Sequence, residues 1–354
     1  MSSKKQETTD EAVIPSEEIL EQVSSGVIEG APKSKSSGGK ASVFAAIAAN
    51  IAVGIVKFIA SAISGSAAMF SEGIHSIVDS GNGFLVLWGI HQSKKPPTIE
   101  HPFGFGKELY FWALVVAVSV FMLGGGASIM QGIESIRDVA AGHVETGDAT
   151  MSFIVLIIAM GLEGSSWYVA YKQINAARGE KSIMEYIKDC KDPSMYTVLL
   201  EDSAALLGLI FALVGLGLSR ITGILYFDGA ASILIGLLLM AVSIIMLRES
   251  KGLLLGEGMT KEELQDVRAL VEAEPEVQKT GRILTMYFGP ESMLMTLDAT
   301  FEPAYNANQI MHAIDRIEKN IARAYPQTTR VFIEAENLAD VERQREIQSN
   351  MPEE

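Results

Sequence analysis

The sequence predicts a polytopic α-helical membrane protein with six transmembrane helices and a small C-terminal α+β domain. Three observations carry that expectation. The 354 residues are 48% hydrophobic, and the charged residues, 20% of the chain, gather at the two ends and in loops. Six apolar runs, each near the ~20 residues that a helix needs to cross a bilayer, follow one another between residues 42 and 247. Beyond residue 258 the pattern changes to a helix-strand-strand-helix-strand order. Composition also excludes functions. A net charge of −15 argues against a nucleic-acid partner, and one cysteine, Cys190, excludes an internal disulfide framework or a cysteine-based metal site.

Residues 1–40 are polar, rich in Ser, Lys and Glu, and read as a disordered tail. A short helix over Ser16–Val23 fits within it, capped by Ser16 with Glu17 and Glu18 in the first turn. No secretory signal pattern is found, so the first membrane helix is expected to act as its own insertion signal. The transmembrane domain occupies 41–250. Its spans are expected at Ser42–Ile63, Ala67–His91, Leu109–Ile133, Met151–Tyr171, Met195–Leu218 and Phe227–Leu247. Gly124-Gly125-Gly126 in the third permits close helix approach or bending. The tail, the 92–108 and 172–193 loops and the region after 247 carry nearly all Lys and Arg, whereas the other side has only Arg137 and Arg220. The positive-inside rule then puts both termini in the cytoplasm, in a bacterial inner membrane or its equivalent.

Polar residues inside the spans point to the chemistry. The second span carries His75, Asp79 and Asn82, four and then three apart, on one helix face. The fifth carries Glu201 and Asp202, the fourth Glu163 and the first Asn50. An imidazole and several carboxylates in lipid are costly and need partners or a ligand. Lys57 is the basic residue well inside a span, and Glu72, at a similar depth, is its expected partner. The remaining acids lack an evident countercharge, which a bound cation or protons would supply. One imidazole with two or three carboxylates suits a divalent transition metal, and zinc takes such a set tetrahedrally. Fe²⁺, Mn²⁺ and Co²⁺ stay open. Glu201 and Asp202 point about 100° apart on a helix, so one of them is the preferred ligand. Asp202 is favoured for that place, with Glu201 a ligand, a proton carrier or the partner of another helix. Asn50, Asn82 and Glu163 are accessory candidates, with helix-to-helix hydrogen bonding as their plainer reading.

Four stretches taken together resemble the cation diffusion facilitators, a cation-efflux family that includes zinc exporters. They are Ser71-Glu72-Gly73-Ile74-His75-Ser76-Ile77-Val78-Asp79-Ser80, His101-Pro102-Phe103-Gly104-Phe105-Gly106-Lys107-Glu108, Glu201-Asp202-Ser203 and Phe227-Asp228-Gly229-Ala230-Ala231-Ser232-Ile233. The resemblance covers about residues 41–338. It implies a homodimer of six-helix protomers that exchanges a cytoplasmic divalent metal for protons by alternating access. It also implies two ligands four apart on the second span and two on the fifth. His75 and Asp79 match the first pair. Asp202 matches in the fifth, but the position four before it is Val198, which cannot ligate, and Glu201 is the candidate replacement. Its Glu-Asp pair is similar to that of the mitochondrial and endoplasmic zinc-transporter-like branch. Metal needs neutral imidazole and ionised carboxylates, so protons compete with it. His75 is therefore the expected coupling group, with metal leaving when His75 and one carboxylate are protonated from the outer side.

The C-terminal part, 258–338, reads as a cytoplasmic α+β ferredoxin-like domain. Thr260 and Glu263 form a capping box for a helix over Thr260–Ala273, with Leu264, Val267, Leu270 and Val271 on one face. Strands are expected at Arg282–Phe288, Ser292–Phe301 and Arg330–Glu334, with a helix at Asn308–Ala324. In the resembled family this domain dimerises and can hold further metals, which makes Asp298, Glu334 and Glu336 candidates for a cytoplasmic metal site. Solvated surface charge is the plainer reading of these acids. Residues 339–354 read as a polar tail with a helical stub. The chain shows no motif of the His-Glu-x-x-His kind, so no enzymatic activity is expected. Val198 keeps open a non-transporting membrane interaction protein.

Overall fold

The computed structural model describes residues 40–142 and 149–350, with side chains from residue 50 onward. The expected Ser16–Val23 helix and the N-terminal tail lie outside the described residues, as do His143 and the last four residues. The membrane part begins with α1, Lys40–Ser64, and α2, Ala67–Ser93. They are joined by a tight turn at Gly65, whose φ of 71° is a left-handed conformation that glycine adopts freely. Ser66 caps α2, its hydroxyl accepting from the Met69 amide at 3.1 Å. Next come α3, Glu108–Ser119, a π-helical turn over Val120–Gly126, and α4, Ala127–Ala141, which together form one rod. α5 is Thr150–Ala177, the short α6 is Ile183–Asp189, α7 is Pro193–Thr222 and α8 is Tyr226–Leu255.

Among the described residues, four helices are long and apolar enough to cross a membrane: Glu108–Ala141, Thr150–Ala177, Pro193–Thr222 and Tyr226–Leu255. The chain is accordingly an integral membrane protein. The first two expected spans are not among these four. α2 has 27 residues, but Glu72, His75, Asp79 and Asn82 lower its hydropathy. The described apolar part of α1 is limited to Asn50–Ser64.

Glycines set the packing of the α3–α4 rod on α8. A Cβ at Gly125 would lie 3.0 Å from the Gly236 carbonyl oxygen, and one at Gly132 would lie 2.6 Å from that of Gly229. Both pairs are seven residues apart in sequence, so two antiparallel helices touch backbone to backbone at two levels. The π turn lies in the same glycine-rich stretch, where the i→i−4 ladder is most easily disturbed. Of the two expectations for Gly124-Gly125-Gly126, the close approach is found at Gly125.

The soluble part consists of α9, Lys261–Glu272; β1, Val277–Gly289; β2, Ser292–Phe301; α10, Ala307–Ala324; β3, Thr328–Ala335; and α11, Leu338–Ser349. β1 pairs antiparallel with β2, and β2 pairs parallel with β3, in a three-stranded sheet of order β1-β2-β3. Val267 and Val271 of α9, Ile317 and Ile321 of α10, and Met293, Met295 and Leu297 of β2 share one buried core. The capping box at Thr260 and Glu263 is present. Arg316 ties α10 to the lead into β1 by bonds to Glu274 (2.9 Å) and Glu276 (2.7 Å). α11 packs on β1: Val341 is buried, and the Gln348 amide bonds to both the N–H and the C=O of Ile283, in the manner of an added strand.

The 101–108 motif joins the two parts. Phe103 stacks on Phe288 at 4.8 Å between centroids, and Lys107 donates to the Leu254 carbonyl at 3.3 Å. Gly106 lies so close to Phe288 and Gly289 that no side chain fits. The motif is thus a clamp between the start of α3, the end of α8 and the end of β1.

Candidate functional site

The helix that carries most of the site is anchored at its N-terminus by α8. Asp228 accepts from the Ser66 hydroxyl (2.6 Å) and from the amides of Ala67 (2.5 Å) and Ala68 (3.4 Å). A carboxylate at exposed N–H groups of a helix start is favourable by hydrogen bonding and by the helix dipole. One turn further on, the Ser71 and Ser232 hydroxyls are 2.6 Å apart, and Ser232 donates to the Ser128 carbonyl at 2.7 Å. α2, α4 and α8 are thereby pinned together above the site.

His75 Nε2 lies 3.2 Å from Asp79 Oδ2, as the four-residue spacing predicts. The alignment is not that of a hydrogen bond. Both ring nitrogens of His75 and Oδ1 of Asp79 are buried with no hydrogen-bond partner among the described residues. Such atoms are expensive to bury. Asn82, a turn beyond Asp79, is buried and donates to Glu201 Oε1 of α7 at 2.8 Å. Asp202 turns the other way: its Oδ2 accepts from the Ser166 hydroxyl of α5 at 2.8 Å, and the Trp167 indole beside it donates to Ser203 at 2.9 Å. The two neighbouring acids therefore serve different helices. Asp79 is within electrostatic reach of Glu201, Glu163 and Asp202, with Lys57 the cation among them. Glu163 of α5 is within electrostatic reach of Glu72, Asp79 and Asp202.

Lys57 donates to Glu72 at 3.1 Å and to the Ser76 hydroxyl at 2.8 Å, and both members of the ion pair are fully buried. The pairing expected from depth is therefore found, with Ser76 as an added partner. Val198 is 44% exposed on the outer surface of α7, and Asn50 lies on the exposed face of α1. In the soluble domain Asp298 stands opposite Glu334 in the β2–β3 register, with Arg282 Nε 3.9 Å from its carboxylate. Glu336 is used through its backbone, its N–H donating to Ala299 and its C=O accepting from Thr300. Among the described residues, no three His, Cys, Asp or Glu side chains are gathered closely enough to form a ready coordination set, in either domain.

A bundle of apolar helices around a buried histidine and several acids defines a polytopic membrane protein with an ionisable cluster in its interior. The chain belongs to the cation efflux family: residues 43–255 match the family's transmembrane domain. It is 34% identical over 225 residues to the mitochondrial proton-coupled zinc antiporter SLC30A9 of Mus musculus and of Homo sapiens, a stretch covering 63% of this chain and 39% of theirs. It is 29% identical over 242 residues to Metal tolerance protein C4 of Arabidopsis thaliana, covering 67% of this chain and 52% of that one. It is also 25% identical over 262 residues to the manganese efflux system protein MneP of Bacillus subtilis, covering 70% and 80%. The chain spans about two fifths of the length of the SLC30A9 relatives it matches. The family is one of transporters and not of enzymes, and its members' cargo is a divalent metal cation.

Sequence reasoning had not reached Ser166, Ser76 or Asp228. Each acts through a contact between different helices. For Asp228 the position in the Phe227-Asp228-Gly229 stretch was the available signal.

Proposed function

We propose that the chain exports a divalent metal, zinc in the first place, in exchange for protons. On this reading α1 and α2 cross the membrane with the other four, giving six spans, with both termini on the cytoplasmic side. The segments are a tail at 1–40, a transport domain at 41–250, a ferredoxin-like cytoplasmic domain at 258–338 and a polar C-terminal segment at 339–354. The charge bias of the loops supports the orientation, and family resemblance supports a homodimer working by alternating access. The α-β-β-α-β order with its mixed sheet supports the ferredoxin-like assignment.

One observation carries the functional reading: the buried His75–Asp79 pair, with its unpartnered ring nitrogens and carboxylate oxygen, beside the Asn82–Glu201 bond. His75, Asp79 and Glu201 would take the metal, with Glu201 exchanging its bond from Asn82 for the cation. Asp202 would complete the set when α5 and α7 shift. Neutral imidazole and ionised carboxylate bind metal, and their protonated forms do not, so a proton arriving at His75 releases the cargo. Zinc is favoured by the imidazole–carboxylate set and by the similarity to a zinc antiporter. Manganese is the second reading, on the similarity to MneP, and Fe²⁺ and Co²⁺ share the same donor chemistry.

Calorimetric titration of the purified protein with Zn²⁺, Mn²⁺, Fe²⁺ and Co²⁺ tests the site. Saturable binding of Zn²⁺ that releases protons, and that Asp79→Ala and His75→Ala each weaken at least tenfold, is expected. Equal affinity in all three proteins would refute the assignment.

A further inference from the structure

The 101–108 clamp borders a cavity of about 380 Å³, within the range of small-ligand pockets. Phe103, Phe105, Phe111, Leu254 and Phe288 give it largely apolar walls, and its ionisable lining residues are His101, Lys107 and Glu108. Glu108 is engaged, its Oε2 accepting from the Trp112 indole at 2.9 Å. His101 is exposed, with its ring 4.4 Å from that of Phe105. Among the described residues, Lys107 has no carboxylate in ion-pair contact. Its Nζ donates to the Leu254 carbonyl at 3.3 Å, lies 3.9 Å from Met286 Sδ and stands 5.2 Å from the centroid of the Phe288 ring. An ammonium has three N–H donors, and only one of these partners is a good acceptor. A cation without a counter-anion, beside an apolar cavity, fits a ligand that is anionic at one end and apolar at the other.

The cavity lies where the chain leaves the bilayer. α3 opens the apolar rod Glu108–Ala141 and α8 ends at Leu255, so this end of both helices sits at the membrane surface that faces the soluble domain. Ile99 is fully exposed there, Leu255 is 73% exposed, and Phe103 and Phe111 are nearly half exposed. Apolar side chains at that depth lie against acyl chains. Lys94 and Lys95 precede Pro97 in the same loop, and Arg248 and Lys251 are exposed on the last turns of α8. Glu100, Glu108 and Glu249 are the acids of these segments, so the balance is positive. Basic residues clustered beside a span attract anionic headgroups. We propose that the cavity binds an anionic phospholipid of this leaflet, with its phosphate on the Lys107 ammonium and an acyl chain along Phe103, Phe111 and Leu254. Free phosphate would leave the aromatic walls uncovered, and a neutral lipid would leave Lys107 without a counter-anion. Phe288 belongs to β1 and the other walls to the loop, α3 and α8, so the bound lipid braces the joint between the two parts of the molecule. The inference does not depend on which metal is carried.

The test uses the purified full chain in detergent, titrated with phosphatidylglycerol, phosphatidylcholine or inorganic phosphate. Native mass spectrometry counts bound lipid, and the thermal midpoint is followed alongside. Phosphatidylglycerol is expected to bind at least tenfold more tightly than phosphatidylcholine and to raise the midpoint, as a ligand of the folded state does. Inorganic phosphate is expected to leave the midpoint unchanged. Lys107→Gln should bring the two lipids within threefold of each other and cancel the midpoint shift, whereas Lys107→Arg should keep both. His101→Glu, at an exposed wall position, should weaken phosphatidylglycerol at least fivefold, and it decides the matter should Lys107→Gln fold poorly. Lys172→Gln, at an exposed lysine on α5 outside the cavity, should match wild type. Equal binding of the two lipids by wild type would overturn the inference. So would an equal loss in Lys172→Gln, which would mean diffuse surface charge, or the same stabilisation by inorganic phosphate alone.

Discussion

Asp228→Asn is the sharpest probe of how the site is held. Asp228 is buried, and its carboxylate accepts from the Ser66 hydroxyl and the Ala67 amide at 2.6 and 2.5 Å, with the Ala68 amide at 3.4 Å. Hydrogen bonds to an ionised group contribute about 1.5–3 kcal/mol each. The isosteric amide has one accepting oxygen, so with it kept on the Ala67 amide the Ser66 hydroxyl must turn from donor to acceptor toward the NH₂, and both short bonds lose their charge assistance. The loss of charge at the start of α2 removes a further ~0.3–1 kcal/mol of dipole stabilisation. The sum is about 2–4 kcal/mol, concentrated where α1, α2 and α8 meet. A thermal melt of the purified protein should show a midpoint lowered by several degrees. Transport should fall with the order of metal preference unchanged, because no ligand has been touched. A variant that melts with wild type would refute the view that α8 anchors the site-bearing helix. A changed metal preference would mean that Asp228 acts on the cargo itself.

Four further outcomes are expected. Gly208→Ala should destabilise by about 1–3 kcal/mol, since its methyl would meet the Glu72 carboxylate at 2.5 Å, and denaturant titration in detergent would read it. Glu201→Gln should weaken Zn²⁺ binding at least tenfold, about 1.4 kcal/mol. Val198→Ala, on the exposed side of α7, should stay within twofold, and parallel calorimetric titrations would expose the reverse order. Burial holds the Cys190 thiol above the ordinary range for a cysteine, so its thiolate is scarcer than that of a free thiol at pH 8. Its reaction with a disulfide reagent should accordingly be slow and keep rising with pH beyond the midpoint of a free thiol; a rate-versus-pH curve matching free cysteine would contradict this.

The local parts of the molecule were legible in the sequence, and the parts made by contact between helices were not. The Thr260–Glu263 capping box and the β2 strand at Ser292–Phe301 are set by residues within a few positions, and both are present. The Lys57–Glu72 pair was readable because two opposite charges at one depth in lipid have little other choice. The matching of Gly125 with Gly236 and of Gly132 with Gly229 depends on how two distant helices meet, which no local pattern records. The same holds for Glu201 and Asp202. Spacing says that they diverge by about 100°, but only the rotation of α7 in the bundle decides that Glu201 turns to Asn82 and Asp202 to Ser166.

The most direct test of the central claim is metal flux in proteoliposomes under an imposed pH gradient, with Zn²⁺, Mn²⁺, Fe²⁺ and Co²⁺ compared for wild type and Asp79→Ala. The account predicts Zn²⁺ movement that follows the gradient, drives protons the opposite way and disappears in Asp79→Ala. Flux of none of the four metals in wild type, or zinc flux indifferent to both the gradient and Asp79, would contradict it.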